Sequence, residues 1–502
     1  MSAERPERTY ITTTIPYVNA APHIGFALEL VEADALARHR RSRGADVRLS
    51  TGTDDNSLTN VLAAEAEGIS VRRLVDRNAD RFASLLGPLH VEVEGFLRTS
   101  RDPRHAPAVE RLWRACLASG DLYRGRYEGL YCVRCERFIA PDELEDGRCP
   151  DHLVAPERVA EDNWFFRLSR YGPTLAELIR SRHLRIQPEQ HEREVLSFIE
   201  AGLQDFSVSR SRERARGWGI PVPDDGGQVV YVWFDALINY LSALGYGTDE
   251  EQYQHWWVNA DHRIHVIGKN VLRFHAVYWP AMLLSAGESL PTGILVHQFL
   301  TAGGRKIGKS LGNAIDPYQL VQRFGSDAVR WWLLREPSAT ADTDFSVTRL
   351  VTRANDDLAN GIGNLVNRTV AMVHRYRRGR VPERFDQGNA LQRRLDRLPE
   401  EVDAAVGRFD LREAAAALLG VVDEANTLIN RTRPWELAAA EQAGDEAAGA
   451  ALDQVLTAGV AAARALAREL TSFTPGLAER LRHQVAGQTL PPAQPVFERL
   501  RR

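Results

Sequence analysis

The chain has 502 residues, a formal net charge of −4, 44% hydrophobic residues and 26% charged residues. That composition excludes a disordered or collagen-like polymer and leaves room for roughly two to four domains with cores of their own. A near-neutral balance does not announce a nucleic-acid binder, nor does it exclude one, because such affinity follows local basic stripes.

Met1 to Glu7 is polar and lacks an apolar stretch, so no signal peptide is expected. No uninterrupted apolar run reaches membrane-spanning length, so no membrane partner is expected either. Thr9 to Ile15 (TYITTTI) is β-branched and reads as a buried strand. A turn follows over Pro16 to Pro22, and His23 opens a helical pattern from Ile24 to Arg43 that stops at Gly44. Asp46 to Ser50 (DVRLS) is a second strand, with Thr51-Gly52-Thr53-Asp54-Asp55-Asn56 at its carboxyl end. Strand, helix, strand predicts a βαβ unit and a parallel sheet, whose ligands bind beyond the strands' carboxyl ends and at helix N-termini. His23 and Asp54 both fall there. A histidine at a helix start can donate to a phosphate beside the helix dipole, and Gly25 permits close approach. Taken alone, the same pattern also fits a helix start with no ligand.

From about Leu117 the pattern changes to short strands, turns and cysteines, as in an insertion. Cys132-x-x-Cys135 is followed, after thirteen residues, by Cys149-x-x-His152. Two such pairs make a tetrahedral zinc site, and with four protein ligands the metal is structural. The remaining cysteine is Cys116, so the usage fits a reducing, cytoplasmic setting better than disulfides. Parallel-sheet character returns at Val229 to Trp233 (VVYVW), Ile264 to Ile267 (IHVI) and Ile294 to Phe299 (ILVHQF).

Lysine occurs only at Lys269, Lys306 and Lys309, against 63 lysines and arginines together. Arginine is a planar fork, whereas lysine is a compact ammonium on a flexible stem that can follow a phosphate through a reaction. Two of three lysines inside the loop Arg305 to Ser310 point to a polyphosphate. After about Asp344 the chain reads as helical to its end, with 3.6-residue periodicity over Val402 to Ile429 and Ala447 to Thr471. Arg368 to Arg380 offers a basic helix face and loop, suited to phosphates or to plain solvation. Gly487 to Pro495 is expected to be a loose end.

With these residues in view, the chain resembles the methionyl-tRNA synthetases of the class I aminoacyl-tRNA synthetase family. Pro22-His23-Ile24-Gly25 matches the family's first signature and Lys306-Ile307-Gly308-Lys309-Ser310 its second. Asn163 to Tyr171, Val230 to Leu244 and Phe274 to Ala286 read as family segments, and Asn426 to Ala438 resembles the anticodon-domain segment. The resemblance implies an α/β, Rossmann-type parallel-sheet core over 1–116 and 226–345. A zinc-bearing connective insertion would occupy 117–225, and an all-α anticodon-binding-type domain 346–502. It implies a ligase that forms an aminoacyl adenylate from ATP, with Mg2+, and transfers the acyl group, most simply methionine to tRNA. By match, His23, Lys306 and Lys309 are catalytic. Gly25, Gly268, Asn270, His297 and Ser310 bind ATP. Tyr17, Asp54, Trp233, Ala236, Tyr240, Val271, His275 and Trp279 bind the amino acid, aromatic walls suiting a thioether. Asn364, Arg368, Arg433 and Trp435 meet tRNA, and Cys132, Cys135, Cys149 and His152 hold zinc.

The match breaks at several motif positions. Phe26 stands where the first signature has a second histidine. Asp55, Asn56 and Ser57 replace Glu-His-Gly, Asn270 replaces an aspartate, Gln298 a glycine and Gly308 a serine. These departures mark a paralogue with altered nucleotide contacts. They also keep open a tRNA-independent ligase that passes its acyl group to a small nucleophile, for example in N–N bond formation with a cupin partner enzyme. No further module follows the helical domain, so a monomer is expected.

Overall fold

The computed structural model describes residues 5–132, 137–139, 141–150, 154–307, 313–383 and 390–501. The chain forms two compact units. One comprises Met1–Ala33, Gly44–Leu86 and Glu92–His297; the other comprises Asp34–Arg43, Gly87–Val91 and Gln298–Arg502.

The first unit is built on six parallel strands, β1 (Arg8–Thr13), β2 (Asp46–Thr53), β3 (Gly95–Arg98), β4 (Arg185–Gln187), β5 (His262–Gly268) and β6 (Gly293–His297), in the order β3-β2-β1-β5-β6-β4. Helix α1 (Ile24–Ser42) follows β1, and α2 (Leu58–Glu67) follows β2. The chain winds one way from β1 to β2 and β3 and the other way through β5 and β6. The switch point therefore lies between β1 and β5, where such sheets bind ligands. Strand β1 ends at Thr13 rather than Ile15 because the Thr14 amide leaves the ladder and donates to the Glu29 carboxylate at 2.7 Å. Ser57 caps α2 by accepting from the Thr59 amide, and Gly68 at φ 66 ends it. The core of this unit is aromatic, with Trp113, Trp257, Trp279 and Phe166 fully buried.

Two sequence expectations need correction here. Val229 to Trp233 is not a strand of the parallel sheet. The strand Asp225–Val230 pairs antiparallel with Ser209–Ser211 and Pro221–Val222, and the chain then turns at an extended Tyr231 into helix α3 (Val232–Leu237). A short apolar run is buried in either conformation, so its composition could not separate them. Strand β4 was not expected at all. Its three residues, Arg185-Ile186-Gln187, carry too little apolar signal to read.

Within the stretch expected to be an insertion, the strands Arg137–Ile139, Leu122–Cys132, Glu157–Phe166 and Phe206–Ser207 form an antiparallel sheet in that order. Cys132 ends its long strand and is buried with Ile139 and Cys149 in a small nucleus flanked by Leu144 and Val154.

The second unit opens with a small sheet. Strand β7 (Leu300–Ala302) pairs antiparallel with β8 (Arg305–Lys306) and parallel with β9 (Thr343–Asp344). Helices follow, among them α4 (Asn364–Arg377), α5 (Leu411–Thr432), α6 (Pro434–Gln442) and α7 (Glu446–Glu469). Arg330 is wholly buried. It pairs with Asp34 at 2.7 Å and donates to the carbonyls of Leu89, Ser472 and Phe473, so one guanidinium satisfies several separated turns. The pattern over Val402 to Ile429 is two helices, not one. Ala390–Gly407 stops, Phe409 takes φ 60, and Asp410 caps α5 by accepting from the Glu413 amide. Nor is Gly487 to Pro495 loose. Thr489 bridges to Arg380, and His374 Nε2 meets the carbonyls of Leu490 and Pro491 at 3.0 and 2.9 Å. Among the described residues, α7 is long and apolar enough to cross a membrane. Its Leu452, Leu456, Ala462 and Leu466 are buried in the helical unit, as in a core helix.

Candidate active site

At the carboxyl ends of β1 and β2 the chain makes one further bridge, Tyr17 with Asp54, and the Asp54 amide donates to the Pro16 carbonyl at 2.9 Å. The Asp54 carboxylate is buried and accepts from the Asn56 amide at 3.0 Å. The Asn60 side chain donates to the Asp54 carbonyl at 3.0 Å. Asp54 is thus a fixed, buried carboxyl group. The Tyr17 ring lies 6.3 Å from that of Trp233, on α3, which stacks on Phe274 at 3.8 Å with planes 5° apart.

Tyr240, His275 and Trp279 form the next group. His275 Nδ1 lies 2.9 Å from the Val271 carbonyl, so it is the donor there, and Nε2 accepts from the Tyr240 hydroxyl at 2.7 Å. Burial pushes the His275 imidazole down to about 4, against the Val271 hydrogen bond and the distant Glu29 charge. Burial likewise raises the Tyr240 phenol far above its ordinary value. Trp279 Nε1 donates to His265 Nε2 at 3.2 Å, and Thr12 Oγ1 meets His265 Nδ1 at 2.6 Å. Burial, then the neighbouring His275, lowers the His265 pKa well below its usual value. Both imidazoles are therefore neutral, and the rings carry no formal charge. Ala236 and Val271 are buried on α3 and on the turn after β5.

His23 stands just before α1. Its Nδ1 accepts the Gly25 amide at 3.0 Å, which puts the ring proton of the neutral form on Nε2. A Cβ at position 25 would lie 2.8 Å from His23 Cε1, so glycine is what lets the imidazole fold against the helix start. Gly268 and His297 are register partners on β5 and β6. A Cβ on Gly268 would meet Asn270 Oδ1 at 2.9 Å and His297 Cε1 at 3.4 Å, so the structure brings Gly268, Asn270 and His297 together. Lys306 occupies β8, opposite Thr301. Lys309 and Ser310, and the departure at Gly308, lie outside the described residues.

The departures at 26, 56, 57 and 298 are each absorbed locally. Phe26 is buried edge-on against Phe82 at 4.9 Å. Asn56 Nδ2 donates to Asp235 at 2.7 Å, Ser57 is the helix cap, and Gln298 donates to the Ala339 carbonyl at 3.2 Å. Asn270 is exposed.

Three groups were missed by sequence reading. Glu29 accepts from both the amide and the hydroxyl of Thr14, at 2.7 and 2.5 Å, and faces His297 Nε2 at 3.1 Å. One turn on, burial pushes the Glu32 carboxyl up to about 7, with His297 opposing and Glu29 reinforcing. Asp235 holds Asn56 on one oxygen and His105 on the other at 2.5 Å. The signal available was acids set among apolar residues of a helical run, Glu29 and Glu32 in α1 and Asp235 in α3.

In the second unit Asn364 and Arg368 lie one turn apart on α4, exposed and part-buried respectively. Arg433 takes φ 46 at the α5–α6 corner, and Trp435 beside it is 47% exposed. Arg377, within the basic stretch, is neutralised by Glu441 and Asp453. Arg375, Arg378 and Arg380 stay exposed.

For the metal, Cys132 and Cys149 share a buried nucleus, which suits two thiolate ligands, while Cys135 and His152 lie outside the described residues. Among the described residues no group of three or more histidines, cysteines and acids is placed to hold a metal.

The family model for class I tRNA synthetases (M) matches residues 9–158 and 141–370. The methionine–tRNA ligase of Brucella suis is 38% identical over 98% of this chain and 98% of its own length. That of Mycobacterium leprae is 41% identical over 87% of this chain and 82% of its own. The solved structure of Mycobacterium tuberculosis methionyl-tRNA synthetase in complex with methionyl-adenylate superposes with a TM-score of 0.92 at 37% identity, covering 98% of this chain and all of that one.

Proposed function

The chain belongs to the methionyl class I tRNA synthetases, and we propose that it activates methionine with ATP and transfers it to tRNA through the residues described above. It is a ligase. One methionine carboxylate oxygen attacks the α-phosphorus of ATP, the bond to the bridging oxygen breaks, and pyrophosphate leaves with the electron pair. A hydroxyl of the 3′-terminal ribose of tRNA then attacks the carbonyl, and AMP leaves. Catalysis of this kind is positioning and charge neutralisation.

The observation that carries the reading is the contrast between a buried carboxylate and neutral aromatic walls. Asp54 receives the substrate ammonium. Tyr17, Trp233, Tyr240, His275 and Trp279 offer rings without formal charge, which fit an apolar thioether and penalise a charged side chain. His23 donates from Nε2 to the phosphate during attack, while Lys306 and Lys309 take the charge of the leaving pyrophosphate; Mg2+ bound with the ATP would supply further positive charge. Gly268, Asn270 and His297 hold the nucleoside. Asn364, Arg368, Arg433 and Trp435 meet tRNA. A zinc ion on Cys132, Cys135, Cys149 and His152 would cross-link the knuckle and take no part in the reaction.

We keep a core over 1–116 and 226–345, an insertion over 117–225 that also returns the strand Arg185–Gln187 to the core sheet, and a helical domain over 346–502, acting as a cytoplasmic monomer. The small-nucleophile alternative is not favoured by relatives that are methionine–tRNA ligases over nearly the whole chain. The test is ATP–pyrophosphate exchange across a panel of amino acids. Methionine should be preferred, and a preference for glycine or glutamate with methionine inert would overturn the assignment of the pocket.

A further inference from the structure

The hairpin that carries Lys306 is held by one carboxylate. Across β7 and β8, Thr301 faces Lys306 and Ala302 faces Arg305. Gly303 and Gly304 make the turn at φ 61 and 72, a left-handed pair that other residues adopt only with strain. On the other edge of β7, Thr301 faces Asp344 of β9, and the Phe345 amide donates to the Thr301 carbonyl at 2.8 Å. Asp344 Oδ1 accepts from Thr301 Oγ1 at 2.9 Å and from the Gly304 amide at 2.9 Å. The Asp344 carbonyl accepts from Arg349 at 2.8 Å, and Arg349 also pairs with Glu336 at 2.8 Å. One carboxylate therefore grips both the strand opposite Lys306 and the turn that leads into it.

We propose that Asp344 is a positioning residue for the pyrophosphate-binding Lys306, fixing the β7–β8 hairpin in whose second strand Lys306 stands. The proposal rests on the reading of Lys306 and Lys309 given above. A two-stranded ribbon of two or three residues per arm is not stable alone, so its orientation needs an anchor outside it. Hydrogen bonds to an ionised carboxylate are stronger than neutral ones. The Gly304 amide first, then the Thr301 hydroxyl, hold the Asp344 carboxyl below the usual range, so it is charged at any working pH. None of these contacts belongs to the methionine group. Its loss should therefore disturb the ATP end of the reaction selectively.

The experiment is ATP–pyrophosphate exchange with the full chain, normalised by active-site titration, for Asp344→Ala, Asp344→Asn, Thr301→Val and Lys309→Ala. Asp344→Ala should lower kcat per active site about tenfold or more and raise KM for ATP, with KM for methionine within about twofold. Asp344→Asn should recover most of the loss, because its amide oxygen still accepts both hydrogen bonds. If Asp344→Ala does not fold, Thr301→Val carries the test, with a fall in kcat of at least about threefold and an unchanged methionine KM. The proposal is overturned if Asp344→Ala or, in its place, Thr301→Val keeps kcat within about twofold while Lys309→Ala loses roughly a hundredfold. It is equally overturned if the loss is only in the number of titratable sites, which is a folding role. Undiminished exchange in Lys309→Ala would bring down the pyrophosphate reading itself.

Discussion

Gly25→Ala should separate stability from activity. The added Cβ would lie 2.8 Å from His23 Cε1 and 3.0 Å from Nδ1. Comfortable carbon contacts begin near 3.5 Å, so the imidazole must retreat by roughly 0.7 Å or more. The atoms in the way are the far end of a side chain, so the fold can yield at little cost. Alanine at the second position of α1 is also a better helix former than glycine, by about 0.5–1 kcal/mol. Denaturant unfolding should therefore show unchanged or slightly higher stability. A displaced ring cannot keep both its Gly25 bond and its aim at the phosphate. A misplacement near 1 Å costs on the order of a hundredfold, so exchange should fall by about 10–100-fold, or roughly 1.4–2.7 kcal/mol of transition-state stabilisation. Exchange equal to the parent in a well-folded Gly25→Ala protein would refute the assignment of His23. Parallel loss of stability and activity would refute the steric argument.

Other outcomes follow from the same geometry. His275 is buried neutral, its pKa lowered to about 4 from the usual imidazole value, so the unfolded chain binds the proton more readily. Stability from this group is then fully present above about pH 6.5 and is lost as pH falls towards 4, by at most about 3 kcal/mol. Urea unfolding of the parent and of His275→Gln at pH 7 and 5 checks this, and equal pH slopes would contradict it. Trp435→Ala should weaken tRNA charging by roughly 1–3 kcal/mol, as for one stacked base, and leave exchange untouched; a fall in exchange would show that Trp435 acts on the fold. Elemental analysis should find one zinc per chain, and Cys132→Ser should reduce folded yield more than turnover per folded molecule; a folded, metal-free preparation would contradict the knuckle.

Much of this was legible because the informative residues sit in unlike surroundings. The β-branched run at β1, the glycine after His23 and the three lysines each stand out against their neighbours. Other features left no such mark. Val232 to Leu237 is as apolar as a buried strand, and only the extended Tyr231 shows where the helix begins. The helical rhythm from Val402 to Ile429 runs through Phe409, whose left-handed backbone breaks it. Gly487 to Pro495 has the composition of a tail, yet its carbonyls are taken by His374 and, at Pro491 and Pro492, by Gln484. Glu29 and Asp235 matter through partners distant in the chain, Glu29 by its contact with His297 and Asp235 by those with Asn56 and His105. The departures at Phe26, Asn56, Ser57 and Gln298 read as losses in sequence, but in the structure each side chain has found a packing or hydrogen-bonding role.

The acceptor is tested most directly by a single-turnover chase. Enzyme loaded with methionine and ATP, freed of excess substrate and mixed with tRNA, should lose its methionyl adenylate within one turnover as methionyl-tRNA appears in equal amount. Adenylate that persists with tRNA, and is consumed only when a small amine or hydroxyl nucleophile is added, would contradict the account.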